Sequence, residues 1–201
     1  MTTSLVRLLQ LASPTLPVGA YSYSQGLEAA VEAGIVTDAA SAERWIADVL
    51  EFSVARSDVP LLWRMLHGED CNQEFIASRE TAELRAETLQ MGHSLCRLLT
   101  QLGVSVAGEL SFPAAYAHAA RAWNIEARGA LVGYLWGWLE NQVMAAVKAV
   151  PLGQTDGQKI LMALGGRLAT LDPQAEFANF APGLALLSAR HETQYSRLFR
   201  S

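Results

Sequence analysis

Residues 125–150 form the longest apolar helix-forming segment in the chain, and they limit what the rest can do. The run from Ala130 to Leu139 carries no charge; Glu140, Asn141 and Lys148 interrupt the remainder of the segment. A membrane span needs about 20 predominantly apolar residues. The run falls short of that, so the segment predicts a central helix enclosed by other helices. Gly129, Gly133 and Gly137 recur at every fourth position and make a smooth stripe along it. Each glycine costs about 1 kcal/mol of helix propensity against alanine. The stripe therefore implies a close helix contact, either in the core or in a dimer.

The remaining pattern is helical too. Leu5, Leu8, Leu9 and Ala12 share one face of a first short helix. Thr37 or Asp38 caps a helix with an apolar face from Trp45 to Val54, and Ser57-Asp58 ahead of Pro60 opens another that ends at Gly68. Residues 72–102 read as one or two helices with Leu84, Leu89, Met91, Leu95, Leu98 and Leu99 inward and an acidic face of Glu80, Glu83 and Glu87 left solvated. Phe112-Pro113 starts a helix that ends near Trp123-Asn124. Thr155 and Gln158 suggest a capping box for a helix closing at Asp172-Pro173, and Pro182 opens a last helix with Leu184, Leu187, His191, Tyr195 and Leu198 on one face. Val104–Gly108 is the one possible strand, too short to make a sheet. The fold class is all-α: a single compact bundle of about eight to ten helices over residues 1–201, with no sheet.

Between the first two helices lies SPTLPVGAYSYSQGLE, residues 13–28. Pro14 and Pro17 hold it extended, Gly19 permits a turn, and Ser22 or Ser24 can cap a helix running to Ala33 with Gly34 as its stop. Tyr21 and Tyr23 beside small polar residues look like a presented surface; the alternative is a linker whose tyrosines fold back onto the core. At the other end, residues 190–201 carry Arg190, Arg197 and Arg200 with Tyr195 and Phe199. Basic groups suit a helix C-terminus, and arginine with aromatics also suits a protein interface.

Composition narrows the function. Half of the 201 residues are hydrophobic (51%) and only 17% are charged, so the chain has apolar surface to spare for a partner or an oligomer. A net charge of −5 argues against nucleic acid as the main ligand. Cys71 and Cys96 read as reduced cytosolic thiols, and the N-terminal segment reads as a short helix, not a secretory signal. There is no nucleophile elbow, and residues 153–159 lack the ending of a phosphate loop. His93 and Cys96 share a helix face and could supply two metal ligands, but a site needs three or four.

Four stretches point one way. Residues 13–28, PLGQTDGQ at 151–158, HETQYSRLFRS at 191–201 and, more weakly, Gln90–Leu95 together resemble the urease accessory protein F (UreF) family in order and spacing over the whole chain. Family members tend to carry Phe where this chain has Tyr21. The resemblance implies an all-helical, dimeric, cytoplasmic protein that is not an enzyme and holds no cofactor. It implies a nickel-insertion chaperone that bridges the GTPase UreG and the accessory protein UreD (also UreH) on apo-urease, with no membrane or nucleic-acid role. Carried over by position, Tyr23, Gln25 and Glu28 would serve the GTPase side, Glu28 meeting a basic patch. Tyr195, Arg197, Leu198, Phe199 and Arg200 would order on UreD, and Lys148 would lie near the dimer or the transfer path. The alternative is a nickel-binding carrier that uses His93 and Cys96.

Overall fold

The computed structural model describes residues 2–201, and among these every regular element is helical. In chain order they are α1 (Thr2–Leu11), α2 (Leu27–Glu32), α3 (Ala39–Val49), α4 (Asp58–Leu66), α5 (Asn72–Ala77), α6 (Ala82–Gln101), α7 (Phe112–Ala122), α8 (Ala127–Ala149), α9 (Gln154–Leu168) and α10 (Pro182–His191). A 3₁₀ turn, Ala20–Ser22, interrupts the first loop, and a widened turn, Leu50–Val54, extends α3. No helix among the described residues is long and apolar enough to cross a membrane.

Helix α8 is the enclosed element that its composition requires. It buries Leu131, Leu135, Leu139, Val143 and Ala146, and α1, α2, α3, α4, α7 and α9 all pack on it. The glycine stripe receives α1: a Cβ on Gly133 would lie 2.6 Å from Cδ1 of Leu8 and 3.1 Å from the Tyr116 hydroxyl. Helices α6 and α7 lie side by side, and α10 crosses α2 and α6.

Local chemistry sets several helix starts. Asp38 Oδ1 accepts from the Ser41 amide at 2.8 Å while Ser41 Oγ accepts from the Asp38 amide at 3.0 Å, closing a capping box at α3. Thr81 caps α6, and the Glu126 carboxylate accepts from the Arg128 and Gly129 amides at α8. Gly34, at φ 69°, stops the α2 segment as its type suggests.

Elsewhere the structure departs from the sequence reading. Residues 104–108 are irregular, because no neighbouring strand pairs with them. Helix α9 begins at Gln154 behind Gly153, so Thr155 lies inside the first turn and forms no capping box. Helix α2 begins at Leu27 behind Gly26, although Ser24 Oγ still accepts from the Glu28 amide at 3.3 Å. Helix α10 stops at His191, so Tyr195 and Leu198 do not extend its buried face. Nor is the acidic face of α6 solvated. Glu87 is buried, and Glu83 turns inward onto the chain's last residues.

Gly92 on α6 is where the bundle tolerates least. A Cβ there would collide with the Leu110 carbonyl oxygen and lie 2.7 and 2.9 Å from the backbone of Ser111 and Phe112. These are backbone atoms that cannot turn aside, so Gly92→Ala should lower unfolding stability by about 1–3 kcal/mol or more. At Gly137 the nearest outside atom would lie at 3.9 Å. There Gly137→Ala should be neutral or gain up to about 1 kcal/mol of helix propensity. Urea denaturation of both variants checks the contrast.

Candidate functional site

The loop of residues 13–28 and the last residues of the chain form one site. Its geometry starts at Gln25, a non-glycine residue at φ 53°, where an L side chain is strained by about 1–3 kcal/mol. The Gln25 side chain holds it there. Its Oε1 accepts from Trp138 Nε1 at 2.8 Å, and its Nε2 donates to Glu87 Oε1 at 2.7 Å. Next to it Gly26, at φ 81°, lets α10 approach: a Cβ there would sit 3.1 Å from Leu184 Cδ1. Asn141 on α8 donates to the Tyr23 carbonyl at 3.0 Å.

Against this loop the chain end is clasped at several points. The Ser24 amide, the Ser24 hydroxyl (2.6 Å) and the Gln25 amide (3.2 Å) all donate to the backbone oxygen of Ser201. The Arg200 amide donates to the Ser22 carbonyl at 2.7 Å. Glu28 is the centre of the clasp. Its carboxylate accepts from the Leu198 amide at 2.7 Å and the Phe199 amide at 2.9 Å, and lies 3.2 Å from His191 Nε2. The other ring nitrogen of His191 lies 2.8 Å from Glu83, whose second oxygen accepts from Arg197 at 2.7 Å. Glu192 in turn accepts from the Ala82 amide at the start of α6.

The residues singled out from the sequence thus converge, but in unexpected postures. Glu28 points inward and is 6% exposed, so it faces the chain's own tail amides. Tyr23 is also buried, and burial pushes its phenol up against the opposing pull of the Arg200 charge. Gln25 is half-buried and Phe199 buried, whereas Tyr21, Tyr195, Leu198, Arg197 and Arg200 stay exposed. The 13–28 stretch is therefore both things its sequence allowed, Tyr21 presented and Tyr23 folded back. The Lys148 ammonium lies 4.6 Å above the Phe199 ring and 3.5 Å from the Leu198 carbonyl oxygen, against the tail.

Ser24, Glu87, Trp138, His191 and Ser201 complete the site and were not singled out as site residues. Their partners lie tens to more than a hundred residues away, so no local spacing marks them. A cavity of about 290 Å³ lies beneath the clasp, with Tyr21, Gln25, Glu87 and Trp138 among its walls. Asp58 and Arg79 also line it and pair at 2.8 Å. His93 is exposed and Cys96 half-buried on α6; burial pushes the Cys96 thiol up. Among the described residues no three His, Cys, Asp or Glu side chains gather as a metal site would require.

Removing the central carboxylate should open the clasp and leave the bundle folded. Glu28→Ala strips two amides and an imidazole of their acceptor, which weakens tail docking by roughly 2–4 kcal/mol. Tryptic cleavage after Arg197 should then speed up roughly tenfold or more, with helical circular dichroism unchanged.

The family model for UreF matches residues 36–165, a span that includes α3 to α8 and most of α9 and leaves out the 13–28 loop and the tail. The chain is 56% identical to the urease accessory protein UreF of Azoarcus sp. (strain BH72) over 98% of its own length and 95% of that protein's. It is 50% identical to the protein of the same name from Dechloromonas aromatica (98% and 97% covered) and 48% to that from Janthinobacterium sp. (98% of each).

Proposed function

The chain belongs to the urease accessory protein UreF family and so has a role in urease maturation without being an enzyme, and we propose that it fills that role as a bridging scaffold. In this reading it joins the GTPase UreG to UreD, in the cytoplasm, and the assembly inserts nickel into apo-urease. The observation that carries the reading is the clasp. Its polar groups are spent on holding its own shape, and Tyr21, Tyr195 and Leu198 are left outside it, at 77%, 105% and 56% exposure. Large side chains on a fixed frame are what interface anchors require.

The UreD side is the tail, with Tyr195, Leu198, Arg197 and Arg200 as contacts and Phe199 as the root that seats them. The GTPase side is the 13–28 loop, where Tyr23, Gln25 and Glu28 act by shaping the surface beneath Tyr21. Lys148 acts on the tail through Phe199. A second copy of the chain completes the scaffold, and the exposed apolar Met162 of α9 suits such self-association.

Co-expression with tagged UreD tests the tail. A Tyr195→Ala/Leu198→Ala double variant removes only exposed side chains, so its melting temperature should match that of the unmutated chain. Its capture by UreD should fall at least tenfold, the loss of roughly 1.4 kcal/mol or more that truncating interface anchors brings. Undiminished capture would show that UreD docks elsewhere.

A further inference from the structure

Glu87 is the one carboxyl of the clasp that accepts from neither a backbone amide nor an arginine. It projects from α6 into the space between the 13–28 loop and Ser201 and is 6% exposed. Gln25 Nε2 lies 2.7 Å from its Oε1, and the Ser201 hydroxyl lies 3.0 Å from its Oε2. Arg79, whose charge pulls the carboxyl down, is already held at 2.8 Å by Asp58 of α4, whose own charge pushes it up. The other titratable groups facing it are Tyr134 of α8 and Tyr23 of the loop. Among the described residues, two neutral dipoles are thus the hydrogen-bond partners of this buried carboxyl.

We propose that Glu87 makes the clasp a proton-operated latch, in which the protonated carboxyl holds the tail docked and its ionisation loosens it. The inference rests on the reading of the clasp as the docking frame, because it names what regulates that frame.

The hydrogen-bond inventory explains the direction. As a neutral acid, Glu87 accepts from the Gln25 amide through one oxygen and donates its proton to the Ser201 hydroxyl through the other, and a hydroxyl can turn to accept it. As a carboxylate it retains both contacts but buries an uncompensated charge. When the tail lifts, Ser201 leaves and water can reach the carboxylate. Burial pushes the docked carboxyl up to about 7. A carboxyl raised in the docked state makes that state the tighter proton binder. Docking is therefore strongest in acid, weakens as pH rises from the ordinary carboxylate range to about 7, and levels off above that. Between pH 6 and 8 the open fraction should rise by about tenfold.

Hydrogen exchange of the free chain tests this without any partner. Protection of the Leu198, Phe199 and Arg200 amides, corrected for intrinsic exchange, should fall about tenfold from pH 6 to pH 8. Glu87→Gln mimics the neutral acid, with an oxygen for Gln25 and an NH₂ for Ser201, and should keep the tail protected with most of that slope removed. The other ionisable side chains of the clasp, His191, Glu28 and Glu83, are common to both chains, so the difference between the two slopes reports Glu87 alone. Equal slopes, or a flat profile in the unmutated chain, would overturn the proposal. A second measurement needs no variant at this position: ¹³C NMR of labelled glutamate carboxyls. Glu87 should titrate near neutrality and move down towards the exposed glutamates when Glu28→Ala opens the clasp; titration among the exposed glutamates from the outset would sink the latch. None of these readouts involves UreD. Capture by UreD that persists in the Tyr195→Ala/Leu198→Ala variant would count against the docking surface while leaving the latch intact.

Discussion

A helix as apolar as α8 persists in water only when other helices enclose it, and its few polar side chains must then find partners inside that enclosure. The fold follows from the first requirement and the candidate site from the second. Trp138, Asn141, Gln142 and Lys148 are donors on the second half of α8, and all four reach the clasp: Gln25, the Tyr23 carbonyl, Gln25 again at 3.4 Å, and the Leu198 carbonyl. The loop and the tail therefore lie where they do because the core helix carries its hydrogen-bonding capacity there. The strained backbone of Gln25 is held by the same contacts.

The clasp is not an efficient source of stability. Burying Glu28, Glu83 and Glu87 costs desolvation energy that pairing with His191, Arg197 and backbone amides offsets only in part. What such a network provides is geometry. Two successive amides, Leu198 and Phe199, grip the two oxygens of one carboxylate, which fixes the register of the tail to a single residue. A slip of one position would put Phe199 outside and Leu198 inside. That would undo the contact with Lys148 and exchange an aromatic root for an aliphatic side chain. Polar contacts here set position, and Tyr195 and Leu198 stay exposed.

How much of this was legible in the sequence depends on range. The helices were, because caps and periodicity are local: Asp38 with Ser41, Thr81 with Leu84, and Gly34 past the end of α2 each act within a few residues. The expected strand at 104–108 failed for the complementary reason, since a strand needs a distant partner that residue type alone does not supply. Both halves of the site were singled out, yet as separate surfaces. Glu28 was expected to face a basic patch on a partner, as the family resemblance implies, and nothing local shows that amides from residues 198 and 199 will cover it. Glu87 was lost among the glutamates of α6 for the same reason: its partners, Gln25 and Ser201, lie 62 and 114 residues away.

Contacts between residues 22–28 and 191–201 close almost the whole chain into a loop, so they gain nothing until the helices between them have assembled. They can also be released without disturbing α3 to α9, because the tail beyond α10 is tied down by hydrogen bonds more than by apolar burial, with Phe199 as its one buried large side chain. The bridging role proposed above calls for a rigid body and a face that opens at modest cost. Placing the reversible element at the two ends of the chain, and anchoring it on the one helix that cannot move, meets both needs within a single bundle.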